Sequence, residues 1–343
     1  MINDDFSRVL HLTTSDISVF KNKTVMITGA NGLIGGYLAD FFAYLNTKHG
    51  YRVKLILTSL STNPSRLQHL LANEYVTYYP CNLAYDIIED VPLVDYCFYC
   101  AGYAQPSKFM SKSQETIFLN SNGLYSVFSS IFNKNSKARC VYLSSSEIYS
   151  ANSSDSAHTE KDNITININN KRNPYILGKL VGETLVADFR SSGYDAISAR
   201  VSLCYGPGVL NDDSRVLSEL VHKGLKESDY IQLFDDGSAL RRYIHISDFI
   251  VMLLNITVQG KHSTYNLCGE EECTIFEIAT IVANKFQKYV KKGDTSSIVA
   301  TTAPKVVWNS LDLYKSEFDN FTYKPLIGGV NEFVDWYVES LKR

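Results

Sequence analysis

The stretch Thr24-Val-Met-Ile-Thr-Gly-Ala-Asn-Gly-Leu-Ile-Gly-Gly-Tyr-Leu-Ala-Asp-Phe-Phe42 decides the fold. Val25, Met26 and Ile27 read as a buried strand, and Leu33, Ile34, Tyr37 and Leu38 open an apolar helical face. Between them, Gly29, Gly32 and Gly35 are spaced three and three. Glycines so placed turn the chain sharply, let backbone approach a pyrophosphate, and aim a helix N-terminus at its negative charge. A glycine triplet alone is weak evidence. Here the strand before it and the helix after it supply the context, so Gly29, Asn31, Gly32, Leu33, Ile34 and Gly35 are expected to hold a dinucleotide.

Outward from this run, strand signals recur at 53–58, 76–80, 96–101, 138–145 and 196–203. Amphipathic stretches fall between most of them, notably 111–133 and 175–191. Strand–helix alternation with nearly continuous apolar strands predicts an α/β fold: a doubly wound parallel (Rossmann-type) sheet covered on both faces. Residues 1–22 read as a polar N-terminal arm with room for a short helix. Residues 23–204 read mainly as the dinucleotide-binding domain. Residues 205–343, with fewer strand–helix units, read mainly as a smaller C-terminal substrate-binding lobe, with the chain free to cross between the two. Asn, Ser and Asp cluster at 150–173 and predict a long loop.

Composition narrows the function. The 343 residues are 45% hydrophobic, enough for a full core, with a net charge of −3 and scattered Lys and Arg. Nothing resembles a nucleic-acid footprint. No apolar run approaches the roughly 20 residues of a membrane span, and the charged start MINDDFSRVL lacks the apolar core of a secretory signal. The seven cysteines read as reduced core residues of a cytoplasmic protein. Cys97 and Cys100 form a CxxC, but on a strand residues three apart point to opposite faces, so no metal is expected.

A second motif carries chemistry. Tyr175 and Lys179 are four apart on a predicted helix and share a face. A phenol with a pKa of about 10 is a poor base at neutral pH, and a nearby ammonium is expected to lower that pKa. The same lysine suits a cofactor ribose. A hydroxyl from a strand end would complete the site, and YLSSSEIYS (142–150) offers three serines.

With the glycine run, the YxxxK pair and the serine run together, the chain resembles an extended short-chain dehydrogenase/reductase of the NAD-dependent epimerase/dehydratase family from about residue 23 to 335. The resemblance implies that Ser145, Tyr175 and Lys179 form a catalytic triad, removing the proton of a sugar C4 hydroxyl while hydride passes to a nicotinamide. Several strings look most like the UDP-glucuronate decarboxylase (UDP-xylose synthase) branch. They are Ala101-Gly-Tyr-Ala-Gln-Pro-Ser-Lys-Phe109, Ser145-Ser-Glu-Ile-Tyr149, Asn211-Asp-Asp-Ser-Arg215-Val-Leu-Ser218, Gly237-Ser-Ala-Leu-Arg241 with Ile246-Ser-Asp248, and Asn266-Leu267 with Glu271-Glu272 and Thr274-Ile275. The resemblance further implies cofactor contacts from Thr58, Ser59, Asn82, Leu83, Ala101, Gly102, Ala104 and Asn120. On the substrate side it implies Pro106, Ser146, Arg172, Arg215 and Arg241. Glu147 is expected to orient the sugar or deliver a proton, or else to bond local backbone. Arg172 is expected to sense a substrate carboxylate or to cap a loop, and Arg215 and Arg241 to grip phosphates or to form surface ion pairs.

Three departures stand out. The strand at 53–58 is followed by Thr58, Ser59 and Ser61 rather than by an acidic residue for the adenine ribose, with Arg66 nearby. NAD is the expected cofactor, because a redox-neutral cycle retains it, while NADP stays open. Leu203 stands where the family pattern R-x-x-N-x-[YF]-G-P has Asn, in Arg200-Val-Ser-Leu-Cys-Tyr-Gly-Pro207. The family's C-terminal R-x-P-D segment is not recognisable around Ala303-Pro304-Lys305.

The expected function is oxidation of a nucleotide sugar at C4, with decarboxylation of a nucleotide uronate such as UDP-glucuronate and return of the hydride. A 4,6-dehydratase or a 4-epimerase is the alternative. A catalytically silent dinucleotide-binding sensor is the reading of another class. The expected partners are a nucleotide sugar and a second copy of the chain, without nucleic acid or membrane. In relatives, pairing runs through the segments 111–133 and 175–191, which makes Ile117, Leu124, Val127, Phe128, Ile131, Leu180 and Leu185 the candidates, with packing on their own sheet as the alternative.

Overall fold

Six strands match the expected runs: β1 Thr24–Thr28, β2 Lys54–Ser59, β3 Val76–Pro80, β4 Tyr96–Tyr99, β5 Arg139–Ser145 and β6 Asp195–Val201. The structure is a computed structural model and describes residues 2–88, 91–152, 156–293, 306–318 and 321–342. The segment around Ala303-Pro304-Lys305 lies outside the described residues. With Thr264–Leu267 the six strands form one seven-stranded sheet in the order β3-β2-β1-β4-β5-β6-(Thr264–Leu267). Every neighbouring pair is parallel. The order reverses between β1 and β4, which opens a crevice beyond their C-terminal ends, where ligands of open α/β sheets bind.

Apolar side chains on both faces explain why the sheet is covered twice. Helix Leu33–His49 presses Leu38, Phe41, Phe42 and Leu45 onto one face. Helix Leu124–Lys134 presses Leu124, Val127, Phe128 and Ile131 onto the other. The expected helix 111–133 is broken into Pro106–Ser111, Ser113–Phe118, a π-turn Leu119–Gly123, and Leu124–Lys134. Helix Asn173–Ser191 crosses close to β5 because Gly178 and Gly182 carry no side chain: a Cβ on Gly182 would meet the ring of Tyr142, and one on Gly178 would lie 3.3 Å from Asn120 Nδ2.

The second half builds a smaller cluster from helices Val216–Gly224, Ile275–Lys285 and Leu326–Ser340 around Leu220, Val221, Ile278, Val282, Val330 and Phe333. Helix Ile246–Gln259 and strand Thr264–Leu267 return to the large sheet. The polar arm contains a packed helix, Ile2–Leu12. Phe6 and Val9 are buried, the Phe6 ring meets Tyr37 edge-on at 5.0 Å, and Arg8 pairs with buried Asp248 at 2.5 Å. None of the helices among the described residues is long and apolar enough to cross a membrane.

Candidate active site

The glycine run closes the crevice with backbone. Gly29 has φ +62°, a conformation that L side chains rarely adopt, and a Cβ there would lie 2.7 Å from the Cys100 carbonyl oxygen. A Cβ on Gly35 would lie 2.6 Å from the Gly29 carbonyl oxygen. Ala30 N–H donates to the Thr58 carbonyl at 2.9 Å and Ala101 N–H to Thr28 Oγ1 at 3.1 Å, locking β1, β2 and β4 around the turn. Gly32 caps helix Leu33–His49 with no side chain and no acidic residue in the first turn. The first N–H groups thus point into the crevice with the helix dipole behind them, which fits the pyrophosphate of a dinucleotide.

At the far end of the turn, Asn31 Oδ1 accepts from Arg66 N–H at 3.1 Å. The Arg66 guanidinium is held by buried Asp40, which also takes His69 at 2.7 Å. The Ser59 hydroxyl is bonded to the Tyr78 hydroxyl at 2.6 Å, and Thr58 is fully buried. Asn82 shapes a turn, taking the Ala84 N–H on Oδ1 at 3.2 Å, and Leu83 is buried behind it. Gly102 and Ala104 are exposed at the mouth, and a Cβ on Gly102 would lie 3.5 Å from Lys179 Nζ.

Tyr175, Lys179, Ser145 and Asn120 meet beside this cradle. The Tyr175 ring stacks on buried Phe109, with centroids 4.6 Å apart and planes 14° from parallel. The Ser145 hydroxyl faces its oxygen and favours the charged form. Ser145 Oγ also accepts the Glu147 N–H at 3.1 Å and so starts the short turn Ser146–Tyr149. Lys179 donates to Asn120 Oδ1 at 2.9 Å and to the Leu143 carbonyl at 2.8 Å. The π-turn aims Asn120 inward, where Oδ1 also takes the Tyr142 hydroxyl at 2.8 Å.

Electrostatics here differ from the expectation. Burial, then the charge of Glu147, push the Tyr175 phenol up to about 12, against the hydrogen bond from Ser145 and the charges of Arg172 and Arg215. Burial pulls Lys179 down to about 7, opposed by Cys100 and Glu183. The lysine sits 5.6 Å from the tyrosine ring centroid and is committed to Asn120 and Leu143. In the ligand-free chain, therefore, desolvation outweighs the ammonium effect on Tyr175.

The substrate side carries three arginines. Arg172 is 6% exposed, lies 5.2 Å from the Phe109 ring centroid, and engages Glu147 through Nε and Nη2. Its Nη1 is buried with no hydrogen-bond partner. Arg215 binds Asp213 through Nε at 2.9 Å and Nη2 at 2.6 Å, and donates to the Cys204 carbonyl at 3.2 Å. Arg241 is 8% exposed and donates to the Leu240 carbonyl. Ser146 is buried, and Pro106 starts the helix Pro106–Ser111. That segment is tied across the crevice by Lys108 to Asp212 at 2.9 Å and by Ser107 to Ser214 at 3.1 Å. Leu203 is 40% exposed at the start of the short strand Leu203–Tyr205.

Sequence reasoning missed Tyr243, Phe109 and Glu183. The Tyr243 hydroxyl is buried without a partner, and the charges of Arg241 and Arg215 act on it. Its place two residues after Arg241 on one strand face was the available signal. Glu183 lies one helical turn beyond Lys179, a spacing visible in the sequence.

Residues 25–268 match the NAD dependent epimerase/dehydratase family. UDP-glucuronic acid decarboxylase 1 of Arabidopsis thaliana is 27% identical over 266 residues, 76% of this chain and 58% of that protein, so the chain spans little more than half of that relative. A dTDP-4-dehydro-6-deoxy-D-allose reductase of a Streptomyces species is 27% identical over 326 residues, covering 92% of this chain and 96% of that one. Among solved structures, UDP-glucuronic acid 4-epimerase of Bacillus cereus superposes with a TM-score of 0.75 at 18% identity, covering 92% of this chain and 99% of that one. The glycine cradle, the Tyr175–Lys179 helix and this match over most of the chain agree: it belongs to the NAD dependent epimerase/dehydratase family and is an enzyme of the extended short-chain dehydrogenase/reductase type with NAD as its cofactor.

Proposed function

We propose that the chain oxidises a nucleotide uronate at C4 and decarboxylates it, UDP-glucuronate being the first candidate. The observation that carries this reading is Arg172: a guanidinium beside Tyr175 and Glu147, with one nitrogen buried and unpartnered. A buried donor of this kind costs about 1–3 kcal/mol unless it is satisfied, and a sugar carboxylate satisfies it. The turn Gly29–Gly35 would hold NAD, which would supply the acceptor of the C4 hydride and the means of its return. Tyr175, as its phenolate, takes the C4 hydroxyl proton, beside the Ser145 side chain. The ketone then stands β to the carboxylate, carbon dioxide leaves, and the C–C bond electrons pass into the ketone as an enol. Protonation at C5 and reduction at C4 complete a redox-neutral cycle. Arg215, Arg241 and the Tyr243 hydroxyl are the groups proposed to receive the diphosphate.

The expected result with UDP-glucuronate is one carbon dioxide and one nucleotide pentose per turnover, read by labelled-carbon release and by mass spectrometry. Silence with every nucleotide uronate removes the decarboxylase assignment. A nucleotide hexose converted instead points to the 4,6-dehydratase or the 4-epimerase. The near full-length match to a 4-ketone reductase supports a further reading. In the ligand-free chain the phenol keeps its proton at neutral pH, the form that donates to a ketone oxygen, whereas the C4 oxidation needs the phenolate. Stoichiometric NADH consumption with a 4-keto-6-deoxy sugar identifies that activity.

The proposed assembly is a homodimer of a cytoplasmic enzyme. Leu124, Val127, Phe128 and Ile131 are buried against their own sheet, leaving Phe118, Tyr125 and Val181 as the open apolar residues of the two helical segments, with Ile117, Leu180 and Leu185 half-buried. Sedimentation at micromolar concentration is expected to give twice the chain mass, and Tyr125→Glu to give the chain mass. A parent that sediments at the chain mass refutes the pairing.

A further inference from the structure

Phe109 has no polar side-chain atom and is fully buried, yet it lies among the groups of the candidate site. Its ring meets the Tyr175 ring nearly parallel, with 4.6 Å between centroids and 14° between planes, an aromatic stack. The Arg172 guanidinium carbon lies 5.2 Å from the same ring centroid, close enough for a cation–π contact. The short helix that carries Phe109 is pinned on both sides. Before it, Gln105 Oε1 accepts the Ser214 hydroxyl at 3.1 Å and the Ser214 N–H at 3.4 Å. After it, Lys112 N–H donates to the Lys108 carbonyl at 2.9 Å, and the Lys112 carbonyl takes the Thr116 hydroxyl at 2.8 Å. Lys108 and Ser107 add their ties to Asp212 and Ser214. The ring is therefore held by its own helix, by Arg172 and by the loop that leads into Arg215.

We propose that Phe109 is a positioning residue for Tyr175: its face fixes the plane of the phenol and so the place where the phenol oxygen meets the substrate. The last ring torsion of a tyrosine is broad, so the side chain does not choose that plane by itself. Proton transfer needs the oxygen within hydrogen-bond reach of the proton it moves. A displacement of about 1 Å can cost about a hundredfold in rate. A ring that merely filled core space would need no parallel alignment with Tyr175, and another apolar side chain of similar volume would serve as well. The assignment rests on Tyr175 being the acid–base group of the site, and it holds whichever sugar the enzyme takes.

The test compares the parent with Phe109→Leu, which keeps most of the volume and has no flat face. In the chain labelled with 13C in its tyrosine rings, the Tyr175 resonances are identified by their loss in Tyr175→Phe. They are expected to be single and narrow in the parent. In the leucine variant they are expected to be broadened or doubled, because the ring then samples more than one plane. With the nucleotide sugar that the parent converts, kcat of the variant is expected to fall by about tenfold to a hundredfold, while KM and the amount of bound NAD stay close to those of the parent. Single narrow resonances in the leucine variant, or an unchanged kcat, overturn the proposal and leave Phe109 as core filling. If the leucine variant does not fold, Phe109→Met, equally apolar and more adaptable in shape, is read in the same way. The resonances need no substrate. A parent that is silent with every nucleotide uronate therefore counts against the decarboxylase reading and leaves this test in force.

Discussion

Replacing Tyr175 with Phe is expected to lower turnover by about a thousandfold or more, at the upper end of what a positioned acid–base group contributes, while NAD remains bound. The substitution is structurally mild. The ring keeps its stack on Phe109 at 4.6 Å, and only the hydroxyl oxygen is lost. One hydrogen-bonding group contributes about 1 kcal/mol of stability, so the melting temperature is expected to move by a few degrees at most. The cradle proposed for NAD is built from Gly29, Gly35, Ala30 and Ala101 backbone, which the substitution leaves unchanged. Cofactor released on denaturation and quantified by chromatography should match the parent. Unimpaired turnover would remove the tyrosine from the reaction. A biological role that survives while the activity is lost would favour the sensor reading.

The glycine spacing and the YxxxK step were legible because each depends on local backbone. Gly29 needs its positive φ whatever surrounds it, and residues four apart on a helix share a face. The six strand runs were legible because a sheet buried on both faces is apolar throughout. What escaped notice depends on packing between distant segments. Phe6 and Val9 are apolar residues in a charged arm, and only their packing against the glycine-run helix and helix Ile246–Gln259 makes that helix of the arm part of the core. The break at Leu119–Gly123 has no sequence signature beyond Asn and Gly, yet it turns Asn120 onto Lys179. The seventh strand, Thr264–Leu267, lies far along the chain, and its place beside β6 is tertiary. The upward shift of Tyr175 escaped for the same reason: an ammonium four residues away is visible in a sequence, whereas full burial and the charge of Glu147 are not. Four of the seven pairing candidates, from Leu124 to Ile131, show the converse. Their helical periodicity was real, but the face they mark is turned to their own sheet.

Arg172→Met is expected to reduce kcat/KM for a nucleotide uronate by about a hundredfold to a thousandfold. Charge-assisted hydrogen bonds are worth about 1.5–3 kcal/mol each, and a guanidinium holding a carboxylate commonly makes two. The single variant also strands Glu147, whose side chain is 18% exposed and whose ion-pair partner is 7% exposed. Breaking one side of so enclosed a pair costs about 3–5 kcal/mol of stability, so a fall in activity alone would be ambiguous. The double variant Glu147→Gln with Arg172→Met resolves it. Removing both charges should restore most of the melting temperature, because no uncompensated carboxylate remains, but it should not restore turnover of the uronate. Measured against a nucleotide hexose that lacks the carboxylate, binding to the double variant should be nearly that of the parent. If uronate and hexose lose affinity equally, Arg172 serves only to hold Glu147, and the observation on which decarboxylation rests is gone. If the uronate alone is lost, the unpartnered nitrogen has found its ligand, and the dehydratase reading, which has no carboxylate to place there, fails with the same measurement.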